Sequence, residues 1–258
     1  MNPQRNRNIV VPTVNSLSKQ NVSQIIHQRF GHVSIVRTKR MARKGLTESL
    51  PTNIPDLQQP FPIFLLTKAK KITSGPTIYV SKFAHGFILQ IDFPFLNVES
   101  IHGFTSTFVH TCSSNSHPFG FISRSNRPPL EIINFLVTTL RNQNKKSAFI
   151  RVDEYESIAR SSEFMKTCHN MNIIVKTTGG YESSLNGKTK TPNKNLANIT
   201  IFILLSSSHK KKLWWFAYQY AICLYRQTEN RLRGDVPYFL WYGTRPSYKQ
   251  IKIWVVRV

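Results

Sequence analysis

The sequence predicts an α/β fold, a sheet layered with helices, on three observations. Residues 87–95, FILQIDFPF, alternate at period two, with Phe87, Leu89, Ile91 and Phe93 on one face and Ile88, Gln90 and Asp92 on the other. Residues 130–141 carry Leu130, Ile133, Leu136, Val137 and Leu140 at helical spacing. Along the chain the patterns run strands, helix, strand, helix, strand and two helices, the order of a layered α/β domain.

Taken in order, residues 1–22 are polar, rich in Asn, Gln and Ser, and read as a flexible arm. IIHQRFGHVS, residues 25–34, carries His27 and His32 on either side of Gly31. The run RTKRMARK follows, with Arg37, Lys39, Arg40, Arg43 and Lys44; it reads equally as a solvated helix face or a nucleic-acid contact. Pro51, Pro55, Pro60 and Pro62 interrupt the next stretch, and Lys68, Lys70 and Lys71 make a second basic cluster.

Beyond the Asp92 strand, strands are expected at Thr105–Thr111 and Phe119–Ser123. Pro129 suits the first turn of the helix that follows. SAFIRVD, residues 147–153, reads as a strand ending in Asp153. Residues 161–170 read as a helix and 172–177 as a short strand. TTGGYESSLNGKTKT, residues 177–191, reads as a glycine-rich loop. A helix is then expected to open with Thr191 as N-cap and Pro192 at its first position. Residues 209–230 read as a long aromatic helix entered through Lys210, Lys211 and Lys212, with Trp214 and Trp215 as packing anchors.

Charge bears on function. The chain has 258 residues and a formal net charge of +23, which points to a polyanionic partner: DNA, with RNA as a further possibility. A membrane partner is not expected, because the basic residues are spread along the chain and the longest apolar run, 199–205, is too short to span a bilayer. The three cysteines form no CxxC, which fits a reducing, intracellular compartment, and the first residues lack the apolar core of a secretory signal.

Asp92 poses the chemical question. A carboxylate inside an apolar strand is costly to bury unless a metal or a cation pairs with it.

Several stretches together resemble a known family. HQRFGH followed by FPIFLLTKAKK resembles a pre-integrase zinc module. FILQIDF, IRVDEYESIARSSEF and NGKTKTPNKNLANI resemble an integrase catalytic core, and LWWFAYQYAICLYRQTENRL with VPYFLWYGTRPSYKQIKIW resembles the segment that follows it. Over residues 25–258 the chain is similar to the integrase segment of a copia-type retrotransposon polyprotein.

The resemblance implies a ribonuclease-H-like mixed sheet flanked by helices, with a small helical N-terminal module. It divides the chain into the arm 1–22, a degenerate zinc-type module 23–78, and an integrase-core-like domain 79–258. It makes Asp92 and Asp153, 61 positions apart, ligands for Mg²⁺. The family's third ligand, a glutamate three residues after an Asn-Gly, falls on Lys190, after Asn186–Gly187. Glu182 precedes that pair and is out of register. A lysine there repels a divalent ion; even a unit pair at 4 Å costs roughly 4 kcal/mol at an effective dielectric near 20. Any bound Mg²⁺ is therefore expected to be weak.

In the zinc module, His27 and His32 stand at the histidine positions, but Phe61 and Phe64 stand where the family has cysteine. Phenylalanine offers no lone pair and a structural zinc site needs four ligands, so zinc is expected to be absent. His110, Cys112 and His117 read as incidental neighbours around a strand and its turn. The implied function is nucleic-acid binding with an ancestral DNA strand transfer that is impaired here. The alternatives are a non-enzymatic nucleic-acid-binding remnant, a residual metal-dependent nuclease, and a product that does not fold. Homo-oligomerisation and, if functional, nuclear localisation are the family's further implications.

Overall fold

A computed structural model describes residues 22–57, 83–92, 98–124, 130–153, 158, 160–178, 183–207 and 210–254, with the backbone alone at Asp153, Thr178 and residues 183–191. Pro129, Phe61, Phe64, Lys68, Lys70, Lys71 and Glu182 lie outside the described residues.

Five strands form one mixed sheet in the order β3-β2-β1-β4-β5. They are β1 Ile88–Asp92, β2 Ser106–Cys112, β3 Pro118–Ser123, β4 Phe149–Asp153 and β5 Ile174–Thr178. The first three pair antiparallel, as short connections allow. β4 and β5 pair parallel, β4 against β1 and β5 against β4. A parallel partner needs a crossover, and helices supply it: α3 Leu130–Asn142 before β4, and α4 Ser162–Asn170 before β5. Before them lie α1 Val22–Arg29 and α2 Ile35–Arg43. After the sheet come α5 Ser183–Ser206, α6 Trp214–Gln227 and α7 Pro237–Tyr242. The expected mixed sheet flanked by helices is thus observed.

One face of the sheet packs on α3 and α4 and the other, over β1, β2 and β3, on α5 and α6, and the strand alternation decides which residues meet which. Leu89, Ile91, Phe108, Ile150 and Val152 project to one side and pack with Ile133, Leu136, Val137 and Leu140 of α3 and Phe164 and Cys168 of α4. The helical period read from residues 130–141 is the period of that contact. Ser161 caps α4, its side chain accepting from the Phe164 amide at 3.2 Å.

Val109 projects to the other side, into a cluster with Leu196 and Ile203 of α5 and Ala217, Tyr218, Ala221 and Ile222 of α6. The same cluster takes in Ile26 and Phe30 of the first helix and Met41 and Ala42 of the second. The N-terminal helices therefore share a core with the helices that follow the sheet. Gly31, at φ +60, ends α1 where a Cβ would meet Leu224 Cδ1 at 2.7 Å. Trp214 is an anchor as expected: it is buried and donates its indole N–H to the Val98 carbonyl at 2.8 Å.

Helix and sheet approach closely at Gly120 of β3. A Cβ there would stand 2.1 Å from Ile222 Cδ1 on α6. Ile222 is itself buried, so it has little room to turn away. Gly120→Ala is expected to destabilise the fold by about 1–3 kcal/mol, an overpacking cost measurable as a lower urea midpoint. An unchanged midpoint would show that α6 can ride outward freely.

Two boundaries differ from expectation. The aromatic helix is shorter than 209–230, beginning at Trp214 after a 3₁₀ turn at Lys211–Leu213. α5 begins at Ser183 and passes through Pro192 rather than starting there. A proline inside a helix loses one hydrogen bond and costs roughly 3 kcal/mol. Pro192 is buried, and Leu196, Thr200 and Ile203 continue its buried stripe, so packing of the helix against the sheet opposes that cost. The residues read as a glycine-rich loop are thus partly the first turns of this helix.

Candidate active site

β1 is buried through Leu89, Gln90 and Ile91, while Asp92 at its end is half-buried. Asp92 faces α5, as its alternation with Leu89 and Ile91 requires. Its carboxylate accepts a hydrogen bond from the Asn193 side-chain amide. This contact answers part of the question of what accompanies a carboxylate in an apolar strand. Asn193 was not singled out by sequence reasoning. The signal that could have found it is its position three residues after Lys190, one helical turn later, but Pro192 between them reads as a boundary.

The second aspartate stands level with the first. β1 and β4 pair with Ile88 opposite Phe149, Leu89 opposite Ile150 and Gln90 opposite Arg151. Carried two residues further, this register sets Asp92 level with Asp153 on neighbouring parallel strands. Residues at one level of such a pair share a face, so both belong to the face that α5 crosses. Asp153 also pairs with Thr178 of β5. Lys190 lies in α5, one turn before Asn193. The elements carrying Asp92, Asp153 and position 190 thus converge.

The donor chemistry of the site suits a hard cation in part. Asp92 and Asp153 are two carboxylates, and Mg²⁺ favours carboxylate and water oxygens. Among the described residues no group of three His, Cys, Asp or Glu side chains is arranged to hold a metal ion.

The histidines of the N-terminal segment pack together. His27, in α1, and His32, in the turn after it, are both buried, their rings edge to face at 4.8 Å. His27 Nδ1 lies 2.9 Å from the Val33 carbonyl, and His32 stacks on Phe202 of α5 at 3.8 Å. His32 adopts a left-handed backbone, φ 63, beyond the end of α1. The pair gives two ring nitrogens, half of a structural zinc set.

The basic run on α2 is turned partly inward. Arg40 Nε donates to the buried Glu229 carboxylate at 2.7 Å and Lys44 Nζ at 3.2 Å. Arg37 donates to the Glu229 main-chain carbonyl, and Lys39 pairs with Asp56 at 2.6 Å. Arg43 is exposed, as are Lys210, Lys211 and Lys212 ahead of α6.

His110 and His117 are wholly buried beside Phe119, at 4.5 and 4.7 Å between ring centroids. Burial, and then the nearby Arg226 guanidinium, hold both imidazoles well below their ordinary pKa. They are packing groups, neutral at physiological pH.

The fold is an α/β domain, a five-stranded mixed sheet flanked by helices, with a carboxylate at the end of each of two adjacent strands. No protein-family model and no curated protein matches the sequence. Solved structures resemble it in fold. One is a chain of the simian T-cell lymphotropic virus intasome in complex with a PP2A regulatory subunit, at TM-score 0.49 and 14% identity, covering 67% of this chain and 62% of that one. The chain therefore spans less than two thirds of that intasome chain. The catalytic core of BIV integrase matches at TM-score 0.45 and 11% identity, over 61% of this chain and 95% of that one. The HTLV-2 integrase catalytic core in complex with magnesium matches at 0.46 and 15%, over 61% and 97%. At these identities and scores the likeness is one of fold. Among the described residues no helix is long and apolar enough to cross a membrane.

Proposed function

We propose that the chain is an integrase-like protein of the copia type that binds DNA and has an impaired strand-transfer site. The reading rests on one observation: the β1–β4 register from Ile88–Phe149 to Gln90–Arg151, which continued by two residues brings Asp92 level with Asp153, beside the helix that carries position 190. Such a pair would hold at most one Mg²⁺, which when bound would polarise a phosphodiester oxygen. Asn193 orients Asp92 by donating to its carboxylate. Lys190 replaces the negative charge of a third ligand with a positive one, which opposes a second ion. No structural zinc is proposed, since His27 and His32 supply two nitrogens and Phe61 and Phe64 supply none. Arg43 and Lys210–Lys212 are the proposed contacts to duplex phosphates, with Lys68, Lys70 and Lys71 alongside them.

Two measurements test the reading. Affinity for duplex DNA should be largely independent of sequence and fall steeply with salt, as counterion release requires. Absence of binding at low salt would overturn it. The unmodified chain with Mg²⁺ or Mn²⁺ and labelled element-end DNA should yield no joined product, while Lys190→Glu should restore some. Joining by the unmodified chain would overturn the impairment.

A further inference from the structure

The face that carries Asp92 holds a set of polar atoms inside an apolar cluster. β1 and β2 pair Asp92 with Val109, and β2 and β3 pair Val109 with Gly120. Residues paired across neighbouring strands project to the same side, so Asp92, Val109 and Gly120 form one row beneath α5 and α6. Gln90, two residues before Asp92, and Thr107, two residues before Val109, flank that row on the same side of the sheet. At Gly120 no side chain stands in the way of Tyr218 on α6, whose Cε1 lies 3.7 Å from the point a Cβ would occupy. The Tyr218 ring therefore lies low over the sheet, and its hydroxyl comes within electrostatic reach of Thr107 and of the Asp92 carboxylate.

Tyr218 is 4% exposed, Gln90 2% and Thr107 0%. Four side-chain atoms on this face, Tyr218 Oη, Thr107 Oγ1, Gln90 Nε2 and Asn193 Oδ1, are buried without a direct partner at full hydrogen-bond geometry. The Tyr218 and Thr107 hydroxyls interact, but short of that geometry. Buried polar atoms cost stability unless they are bonded, and several of them in one enclosed place are the setting of a bound water. Their chemistry is complementary: two hydroxyls and an amide N–H can donate, and an amide oxygen and the Asp92 carboxylate can accept. A phenylalanine at position 218 would fill the same space with no polar atom to satisfy. The hydroxyl is thus not needed for packing, and the group within its reach that it can serve is the carboxylate.

We infer that Tyr218 is a positioning residue for Asp92. Its hydroxyl and that of Thr107 hold the carboxylate through a shared bound water, and the Asn193 amide holds it directly. A carboxylate held by donors from α5, α6 and β2 keeps one orientation, and a ligand already oriented binds a cation more tightly than one that must first be ordered. The inference rests on the divalent-metal part of the proposed function. It adds to that reading a residue from α6, the helix after the one that carries position 190.

The test uses the full chain with Mn²⁺ as the probe, bound metal being counted by the loss of the free-ion electron paramagnetic resonance signal. Urea unfolding without metal is measured alongside. Tyr218→Phe keeps the ring and removes only the hydroxyl. It should weaken Mn²⁺ binding by about 10-fold, the lower end of the effect of removing a group that orients a metal ligand, while the urea midpoint stays or rises. Thr107→Val should weaken Mn²⁺ binding in the same direction. Tyr218→Phe that binds Mn²⁺ as the parent does would overturn the inference. So would a lower urea midpoint with unchanged affinity, which would make the hydroxyl a structural group. Asp92→Asn separates the two readings. If it leaves Mn²⁺ binding unchanged, or if the parent binds none, the proposed metal site fails and this inference with it. If it abolishes binding while Tyr218→Phe leaves binding intact, this inference fails alone.

Discussion

Replacing Glu229 with alanine is expected to lower the unfolding free energy by about 1.5–3 kcal/mol, the worth of hydrogen bonds to a charged group, because the carboxylate is buried while the two cations it leaves behind are partly exposed. The side chain is 2% exposed, and it receives Arg40 from α2 and Lys44 from the residue just after it. Its own main-chain carbonyl accepts from Arg37, whose guanidinium burial draws below its ordinary pKa. Alanine would leave Arg40 half-buried beside Arg37 with no counter-charge. The comparison that isolates the mechanism is Lys39→Ala, which breaks the pair with the 85% exposed Asp56 and should cost under about 1 kcal/mol. Urea unfolding of both variants is the measurement; equal costs would show that Glu229 is no clamp. Burial alone would raise the Glu229 pKa, but the hydrogen bonds and charges of Arg40 and Lys44 outweigh it and hold the carboxyl below its ordinary value. Its contribution is therefore present at neutral pH and is lost as pH falls through that lowered value.

Stability should begin to fall at milder acidity for a different reason. His110 and His117 are both 0% exposed and held neutral, with depressed pKa values. Below about pH 6.5 the unfolded chain takes up a proton at each, while the folded chain does not. More protons on the unfolded state means that stability rises with pH and falls as pH drops. The slope approaches about 1.4 kcal/mol per pH unit for each histidine, and about twice that for the pair. Urea midpoints measured from pH 7.5 to 5 should drop accordingly, starting near pH 6.5. His110→Leu should make the slope shallower. A stability flat to pH 5 in the unmodified chain would mean that water reaches the imidazoles. Glu229 enters the profile later, from the ordinary carboxylate range downward to its lowered value, so the two effects separate on one titration.

The parts of the fold that were legible in the sequence are those where one face of an element meets the core. The strand through Asp92, the helix at 130–142 and the strand ending in Asp153 each carry a period that a one-sided contact imposes. The 61-residue spacing of the aspartates equals the pairing offset of β1 and β4, so the sequence distance already contained the register. The start of α5 was not legible. Pro192 and the glycines before it are strong local breakers, and the packing of Leu196, Thr200 and Ile203 that opposes them is not a local signal. Asn193 went unnoticed for the same reason. Glu229 could not be read at all. Its partner Arg40 lies 189 positions away, so a run that scans as a solvated basic face is in part the other half of an interior ion pair.

The sharing of one core by α1, α2 and α6 bears on how the protein folds as it is synthesised. Glu48 exchanges main-chain hydrogen bonds with Pro246 and Tyr248, nearly two hundred positions downstream. Ile26, Phe30 and Met41 cannot bury their side chains until residues around Leu224, Tyr248 and Ile251 have left the ribosome. At roughly 5–20 residues per second, that leaves an apolar surface uncovered for about ten seconds or more. Contacts of such long range also slow folding itself, since the loop must close before the contact stabilises it. The first helices made are thus among the last to be sheltered, and it is in that interval that the nascent chain is open to chaperones and to aggregation.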